Sequence, residues 1–152
     1  MRQRPTIKTL ELAGTFEAPP DRVFDAWTRG EALTQWMRPY DMAIASAESD
    51  LRIGGYYRVA LRGREGGRTN EVVIFGEYLE VEPPRRLRFT WESPVTFGRP
   101  TIVTLSISGR GPGEGETLLE LTHERLHDDL SVERHEAAWE ELFGKLADFL
   151  AR

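Results

Sequence analysis

The fold is decided by the last stretch of the chain, which reads Ser131-Val-Glu-Arg-His-Glu-Ala-Ala-Trp-Glu-Glu-Leu-Phe-Gly-Lys-Leu-Ala-Asp-Phe-Leu-Ala-Arg152. Its apolar residues recur at steps of three and four, which is the spacing of one face of an α-helix. This face consists of Val132, His135, Trp139, Leu142, Leu146 and Phe149. The pattern predicts an amphipathic helix of about 20 residues, roughly 30 Å long, whose apolar stripe must lie on another element. Because no other stretch has the pattern of a long helix, that element is predicted to be a sheet.

Seven shorter segments upstream of this helix have the residue pattern of half-buried β-strands. They cover residues 6–18, 42–48, 56–62, 72–82, 87–92, 101–108 and 119–124. The orientation of segment 72–82 stays open because it is apolar on both faces, and Gly76 marks a candidate bulge in it. Polar stretches that contain glycine, at 63–70 and 109–116, are predicted to be hairpin loops.

The connections between these segments indicate the fold class. Pro19-Pro20 ends the first strand and begins a short helix, because proline at a first helical position already has a helical φ. A second short helix is predicted from the capping-box pattern Thr28-Arg-Gly-Glu31 to about Met37. Consecutive strands joined by short loops favour an antiparallel meander. We therefore predict an α+β fold, in which a curved antiparallel sheet wraps around the C-terminal helix.

Length and composition exclude several classes of protein. The 152 residues fit a single domain, 1–152, with a loose tail at residues 1–5. The net charge of −5 argues against nucleic acid as a partner, because phosphate binding needs a positive patch. The absence of cysteine excludes disulfides and thiolate chemistry. No apolar run reaches the ~20 residues of a membrane span, and the N-terminus lacks the apolar segment of a signal peptide, so we expect a cytoplasmic protein.

Several stretches resemble one superfamily in their order and spacing. The opening Glu17-Ala-Pro-Pro-Asp-Arg-Val-Phe-Asp-Ala-Trp27, followed by Leu33-Thr-Gln-Trp36, resembles the START-like superfamily, also called SRPBCC or Bet v 1-like. Five further stretches resemble its bacterial branch, which is related to the C-terminal domain of the Hsp90 ATPase activator Aha1. These are Asp50-Leu-Arg-Ile-Gly-Gly-Tyr-Tyr-Arg58, Gly76-Glu-Tyr-Leu-Glu-Val-Glu-Pro-Pro-Arg-Arg-Leu87, Phe89-Thr-Trp91, Leu121-Thr-His123 and His135-Glu-Ala-Ala-Trp139.

The resemblance implies the helix-grip fold, in which a curved antiparallel sheet grips the C-terminal helix, often around an apolar cavity. It does not imply one function, because the superfamily includes lipid and hormone binders, polyketide cyclases, hydrolase-like members and the co-chaperone domain. No catalytic residue spans these classes, so none is carried over to this chain.

Two of the three histidines are predicted to point inward, His123 from a strand and His135 from the long helix. Either imidazole would serve as a polar anchor for a ligand or as a general base near neutral pH. The alternative is a structural role, with both rings hydrogen-bonded inside the core. A metal site made of His123, His127 and His135 is disfavoured, because the spacing of the first two needs helical geometry where a strand becomes a loop.

The predicted cavity-lining set combines the inward aromatic and aliphatic residues with these two histidines. It consists of Trp36, Tyr57, Phe75, Phe89, Trp91, Val103, Leu105, His123, His135, Trp139 and Leu142. The predicted function is to bind an apolar or amphipathic small molecule, lipid-like or aromatic, with no cofactor and no metal. Two alternatives stay open: a co-chaperone-like interaction module with a chaperone or a second copy as partner, and a cyclase-like or hydrolase-like enzyme with a histidine base.

Overall fold

A computed structural model of the protein describes residues 8–65 and 67–152. Its seven strands are β1 (Lys8–Phe16), β2 (Ala43–Ser49), β3 (Tyr56–Glu65), β4 (Arg68–Glu82), β5 (Arg86–Trp91), β6 (Thr101–Arg110) and β7 (Glu116–Leu126). The helices are α1 (Pro20–Thr28), α2 (Gly30–Trp36) and α3 (Asp129–Leu150), with short 3₁₀ turns at Pro94–Thr96 and Pro112–Glu114. The predicted tail at residues 1–5 lies outside the described residues.

The strands form one antiparallel sheet in the order β1-β7-β6-β5-β4-β3-β2. Strands β2 to β7 form a meander, and β1 joins it by pairing with β7. The two short helices connect β1 to β2, and α3 packs against the buried face of the sheet. This confirms the predicted α+β helix-grip architecture, with a curved antiparallel sheet around a long C-terminal helix.

Helix α3 begins at an Asp128 cap, whose carboxylate accepts a hydrogen bond of 2.8 Å from the Ser131 amide. Of the predicted stripe, His135, Trp139, Leu142 and Leu146 are buried, whereas Val132 and Phe149 are only half-buried. Two residues outside that stripe, Phe143 and Leu150, are buried as well. The buried face is therefore wider than predicted, because α3 also packs its Phe143 side onto Phe16 of β1, with ring centroids 5.6 Å apart.

Three local predictions are wrong. The predicted loop at 63–70 is mostly strand, because β3 runs to Glu65, β4 begins at Arg68, and these two residues pair. Similarly, the paired strands at the second hairpin extend to Arg110 and Glu116. Residues 68–70, Arg110 and Glu116 in these extensions are polar and exposed, so no apolar alternation marks them as strand in the sequence. Thr28 does not cap α2: it ends α1, and its hydroxyl donates to the Phe24 carbonyl.

The orientation of β4 is settled by Ile74 and Tyr78, which are buried. The sequence predicts a bulge at Gly76, but the register of the β4–β5 pair shifts between Tyr78 and Glu80. The irregularity therefore lies after Gly76 and not at it. Gly76 has another role. A Cβ at this position would lie 1.8 Å from the Thr90 carbonyl oxygen and 2.8 Å from the Tyr57 ring.

We expect Gly76→Ala to lower the free energy of unfolding by about 1–3 kcal/mol, the range for overpacking a filled interior. The control is Gly144→Ala on α3, where a Cβ meets nothing within 4 Å. There the removal of a helical glycine should raise stability by about 0.5–1 kcal/mol. Urea unfolding of both variants checks the pair, and equal effects would contradict the close contact at Gly76.

Candidate functional site

A cavity of about 380 Å³ lies between α3 and the sheet. The sheet contributes Leu61, Val72, Ile74 and Trp91, and α3 contributes Arg134, His135, Ala138, Trp139 and Leu142. Two loop segments complete the wall: Pro39, Tyr40 and Met42 after α2, and Ser93, Pro94 and Val95 after β5. Tyr40, Val95 and Arg134 are exposed, so these side chains mark where the cavity meets the surface. The size and the mostly apolar wall are those of a small-molecule site.

His135 projects from α3 into this wall and is 5% exposed. Its Nδ1 lies 2.7 Å from the Ser131 carbonyl oxygen. A carbonyl only accepts hydrogen bonds, so Nδ1 carries the proton and Nε2 is an unprotonated acceptor. Burial lowers the pKa of His135, opposed by the hydrogen bond to Ser131, and this favours the neutral imidazole.

His123 is fully buried and does not line the cavity. The Trp139 indole N–H donates to His123 Nδ1 at 3.1 Å, which leaves Nε2 as the protonated nitrogen. Nε2 then donates to Thr101 Oγ1 at 2.7 Å, and the Thr101 hydroxyl donates to the Trp91 carbonyl at 2.7 Å. Both imidazole nitrogens are therefore used inside the core. Of the roles considered for His123, the geometry supports the structural one.

The same burial, together with the neighbouring His135, lowers the pKa of His123 to about 3. The two imidazole rings meet edge to face with centroids 4.8 Å apart. A proton on His123 would need Nδ1, and it would displace the hydrogen bond from Trp139. His123 is accordingly unsuited to accept a proton from a substrate near neutral pH.

A second, small void of about 10 Å³ also borders Trp91. Trp91 lines both spaces, and Tyr57 and Phe89 line only the small one. The Tyr57 hydroxyl donates to the Thr90 carbonyl at 2.7 Å, and burial raises the pKa of Tyr57 well above its ordinary value. This void has room for about one water molecule.

The predicted site residues therefore separate into four groups. Trp91, His135, Trp139 and Leu142 line the main cavity, and Tyr57 and Phe89 line the small void. Trp36, Val103, Leu105 and His123 are buried in the core away from both spaces. Trp36 donates its indole N–H to the Ala26 carbonyl at 2.8 Å. Phe75 is a correction: it is 44% exposed, because Ile74 and not Phe75 takes the inward position on β4.

The prediction missed most of the cavity mouth. The two loop segments at residues 39–42 and 93–95 have no periodic pattern that indicates a site. The first is held by Lys145 of α3, whose ammonium donates to the carbonyls of Arg38 and Tyr40 and pairs with Glu141 at 2.8 Å. A lysine within a helix, four residues after an acidic residue, normally indicates only a surface ion pair.

No group of three or more metal-ligating side chains occurs within residues 8–65 and 67–152. His127 is exposed and contacts Arg99 and Phe97, apart from the other two histidines. Both nitrogens of His123 are occupied by protein groups. The described geometry thus offers no converging ligands for the three-histidine site that the sequence disfavoured.

Within the described residues, no helix is both long and apolar enough to cross a membrane. The most apolar face of α3 is directed into the core, and its other face is charged.

Comparison with known proteins gives one family. A family model described as Activator of Hsp90 ATPase homolog 1-like protein matches residues 17–151. No curated protein matches the chain.

Solved structures share the fold over nearly the whole chain. A protein from Chromobacterium violaceum is 26% identical, with a TM-score of 0.79, and the match covers 95% of this chain and 99% of that one. The AHSA1 protein from Silicibacter pomeroyi is 27% identical, with a TM-score of 0.76 and coverage of 95% and 98%. An HSP90 activator from Plasmodium falciparum is 22% identical, with a TM-score of 0.71 and coverage of 94% and 96%, and this likeness shows the fold alone.

Proposed function

The chain belongs to the family of Activator of Hsp90 ATPase homolog 1-like proteins, and we propose that it binds a small apolar or amphipathic molecule in the cavity between α3 and the sheet. The observation that carries this proposal is a mostly apolar space of about 380 Å³ that lies between α3 and the sheet and reaches the surface at its mouth. Protein interiors leave few voids larger than a water molecule, and an apolar cavity of this kind binds apolar guests.

The wall of the cavity supports an aromatic or lipid-like ligand. Trp91 and Trp139 lie against each other with ring centroids 4.8 Å apart and supply a broad apolar surface. Leu61, Ile74 and Leu142 face it from the sheet and from α3. A ligand enclosed by these side chains gains affinity mainly by removing apolar surface from water.

The first experiment is a ligand search with a matched pair of variants. Native mass spectrometry of freshly purified protein should detect a bound small molecule, and flat aromatic compounds or fatty acids should shift one connected set of amides. That set is expected at Leu61, Ile74, Trp91, His135 and Trp139. Scattered surface shifts with no bound molecule would count against the proposal.

Ala138→Phe and Ala137→Phe make the matched pair, because Ala138 lines the cavity and the adjacent Ala137 is exposed. A phenylalanine at 138 occupies the space of the ligand, so we expect its affinity to fall by about tenfold or more, equivalent to about 1.4 kcal/mol. The variant at 137 should bind as the wild type does. Equal affinities of the two variants would place the ligand elsewhere.

An interaction module of the Hsp90-activator type is the second candidate, and the family description favours it. In that case the outer surface acts on the partner, and the cavity has no part in the activity. Adding the chain to purified Hsp90 should then raise the ATPase rate of Hsp90, and Ala138→Phe should raise it equally. A space packed solid with side chains would favour this candidate, and because of the cavity of about 380 Å³ we rank it second.

A further inference from the structure

Two side chains of the cavity wall, His135 and Trp91, each carry a polar atom with no hydrogen-bond partner among the described residues. His135 Nε2 makes no hydrogen bond within the described residues, because the bond to Ser131 uses Nδ1. The Trp91 indole N–H is buried and also without a partner there. Other buried polar groups of the wall are satisfied, as the Trp139 N–H is by His123. Three other buried side-chain atoms without a partner, on Trp27, Tyr78 and Arg88, lie outside this wall. Polar groups without a partner are uncommon in folded proteins, and in a cavity wall a bound ligand can supply one.

One of these two atoms accepts a hydrogen bond and the other donates one. His135 Nε2 offers a lone pair, since the Ser131 carbonyl fixes the proton on Nδ1. The indole of Trp91 offers only a donor. A hydroxyl group matches both kinds of atom, because it carries one O–H donor and free lone pairs. A carboxylate carries acceptors only, and it would place a negative charge against the lone pair of a neutral imidazole.

We propose that the natural ligand is an uncharged, mostly apolar molecule with a hydroxyl group, which donates a hydrogen bond to His135 Nε2. This proposal rests on the proposed function of the cavity and names the class of ligand. His135 is then the residue that selects hydroxylated ligands over ethers and carboxylates of the same shape. Burial lowers the pKa of His135 and so supports the neutral acceptor form. Arg134 lies at the exposed edge of the cavity, where a carboxylate would be bound if the proposal were wrong.

Three probes of one shape distinguish these cases: 2-naphthol, 2-methoxynaphthalene and 2-naphthoate. By isothermal titration calorimetry at pH 7.5, we expect 2-naphthol to bind about fivefold or more tightly than the methyl ether, since one net hydrogen bond contributes about 1 kcal/mol. The naphthoate should bind more weakly than the naphthol. Tighter binding of the naphthoate, or equal affinity of naphthol and ether, would overturn the proposal and leave the cavity as a binding site.

His135→Leu should remove the preference, so that the naphthol and ether affinities become equal. His127→Gln is the control, because this histidine is exposed and outside the cavity wall, and it should keep the wild-type ratio. If the folded His135→Leu variant still binds naphthol more tightly than the ether, another residue must bind the hydroxyl group.

A second measurement uses the unmodified protein and does not depend on the stability of a variant. In ¹⁵N spectra of the imidazoles, we expect His135 to be protonated at Nδ1, and 2-naphthol to shift Nε2 while the methyl ether leaves it unchanged. Proton on Nε2 in the free protein, or no shift with bound naphthol, would contradict the proposal. If none of the three probes binds and no amide of the cavity shifts, the proposed function fails together with this inference.

Discussion

Trp139→Ala is expected to lower the free energy of unfolding by about 3–5 kcal/mol, the range for truncating a large buried aromatic side chain. Trp139 is 1% exposed and packs against Trp27 and Trp91, with ring centroids 5.7 and 4.8 Å away. The truncation also leaves His123 Nδ1 without its donor inside the core. Urea unfolding measures the effect. We expect the lower end of the range because one side of the ring already borders the cavity.

Trp139→Phe separates the contribution of ring packing from that of the hydrogen bond to His123. It keeps an aromatic ring in place and removes the N–H, so the loss should be about 1–3 kcal/mol, the penalty for leaving a buried acceptor unpaired. The exposed Ala137→Phe variant on the same helix serves as the control for a change that touches no core contact. A loss below about 1 kcal/mol for Trp139→Ala would contradict the packing of α3 on the sheet.

The architecture could be predicted from the sequence because an element that buries one face shows a periodic pattern of apolar residues. The pattern is alternation in a strand and steps of three and four in a helix. In β3, Tyr57, Val59 and Leu61 share one face, with Arg58 and Arg62 on the other, and the structure buries all three. The steps of three and four in α3 located Trp139 and Leu142 in the same way. Residues 68–70, Arg110 and Glu116 are polar and exposed, so no apolar alternation indicates that the strands continue through them.

The site was harder to predict than the fold because it depends on contacts between distant parts of the chain. Phe75 and Ile74 are adjacent and apolar, and only the pairing of β4 with its neighbours decides which of them faces inward. The sequence placed His123 and His135 on inward faces, but their roles differ because of their partners. His123 meets Thr101 and Trp139 across the sheet and α3, whereas His135 bonds within its own helix and keeps one nitrogen free.

The loops that line the cavity mouth could not be predicted from the sequence for a second reason. Residues 39–42 and 93–95 have neither strand nor helix periodicity, and their position at the cavity depends on how α2, β5 and α3 meet. Lys145 fixes the first of them through two backbone carbonyls, a contact that spans more than a hundred residues of sequence. No local pattern encodes such a contact, so the mouth of the cavity follows only from the tertiary structure.

The stability of the protein is expected to fall when the pH is lowered from 7.5 to 5, and His123 is the principal cause. Burial, with the neighbouring His135, lowers the pKa of His123 to about 3, against an ordinary value of 6.5. Between these two values the unfolded chain binds a proton on His123 and the folded protein does not. Stability is therefore complete above pH 6.5 and declines as the pH falls toward 3.

Each pH unit in this window changes the free energy of unfolding by about 1.4 kcal/mol per histidine, which gives about 2 kcal/mol for His123 between pH 7.5 and 5. His135, whose pKa is lowered for the same reason, adds a loss of the same sign. Carboxyl groups contribute little in this interval because their ordinary pKa values lie near 4.

Urea unfolding at several pH values between 5 and 7.5 measures the fall in the free energy of unfolding. The control variant His127→Gln, which changes the exposed histidine, should show the same fall. In the wild type, the imidazole C–H resonances of His123 should stay at the same shifts throughout this interval. Protonation would require Nδ1, which accepts the Trp139 N–H, so the hydrogen bond between α3 and β7 would be lost with it. A flat stability profile, or a His123 resonance that titrates near pH 6, would mean that this buried contact does not hold the imidazole neutral.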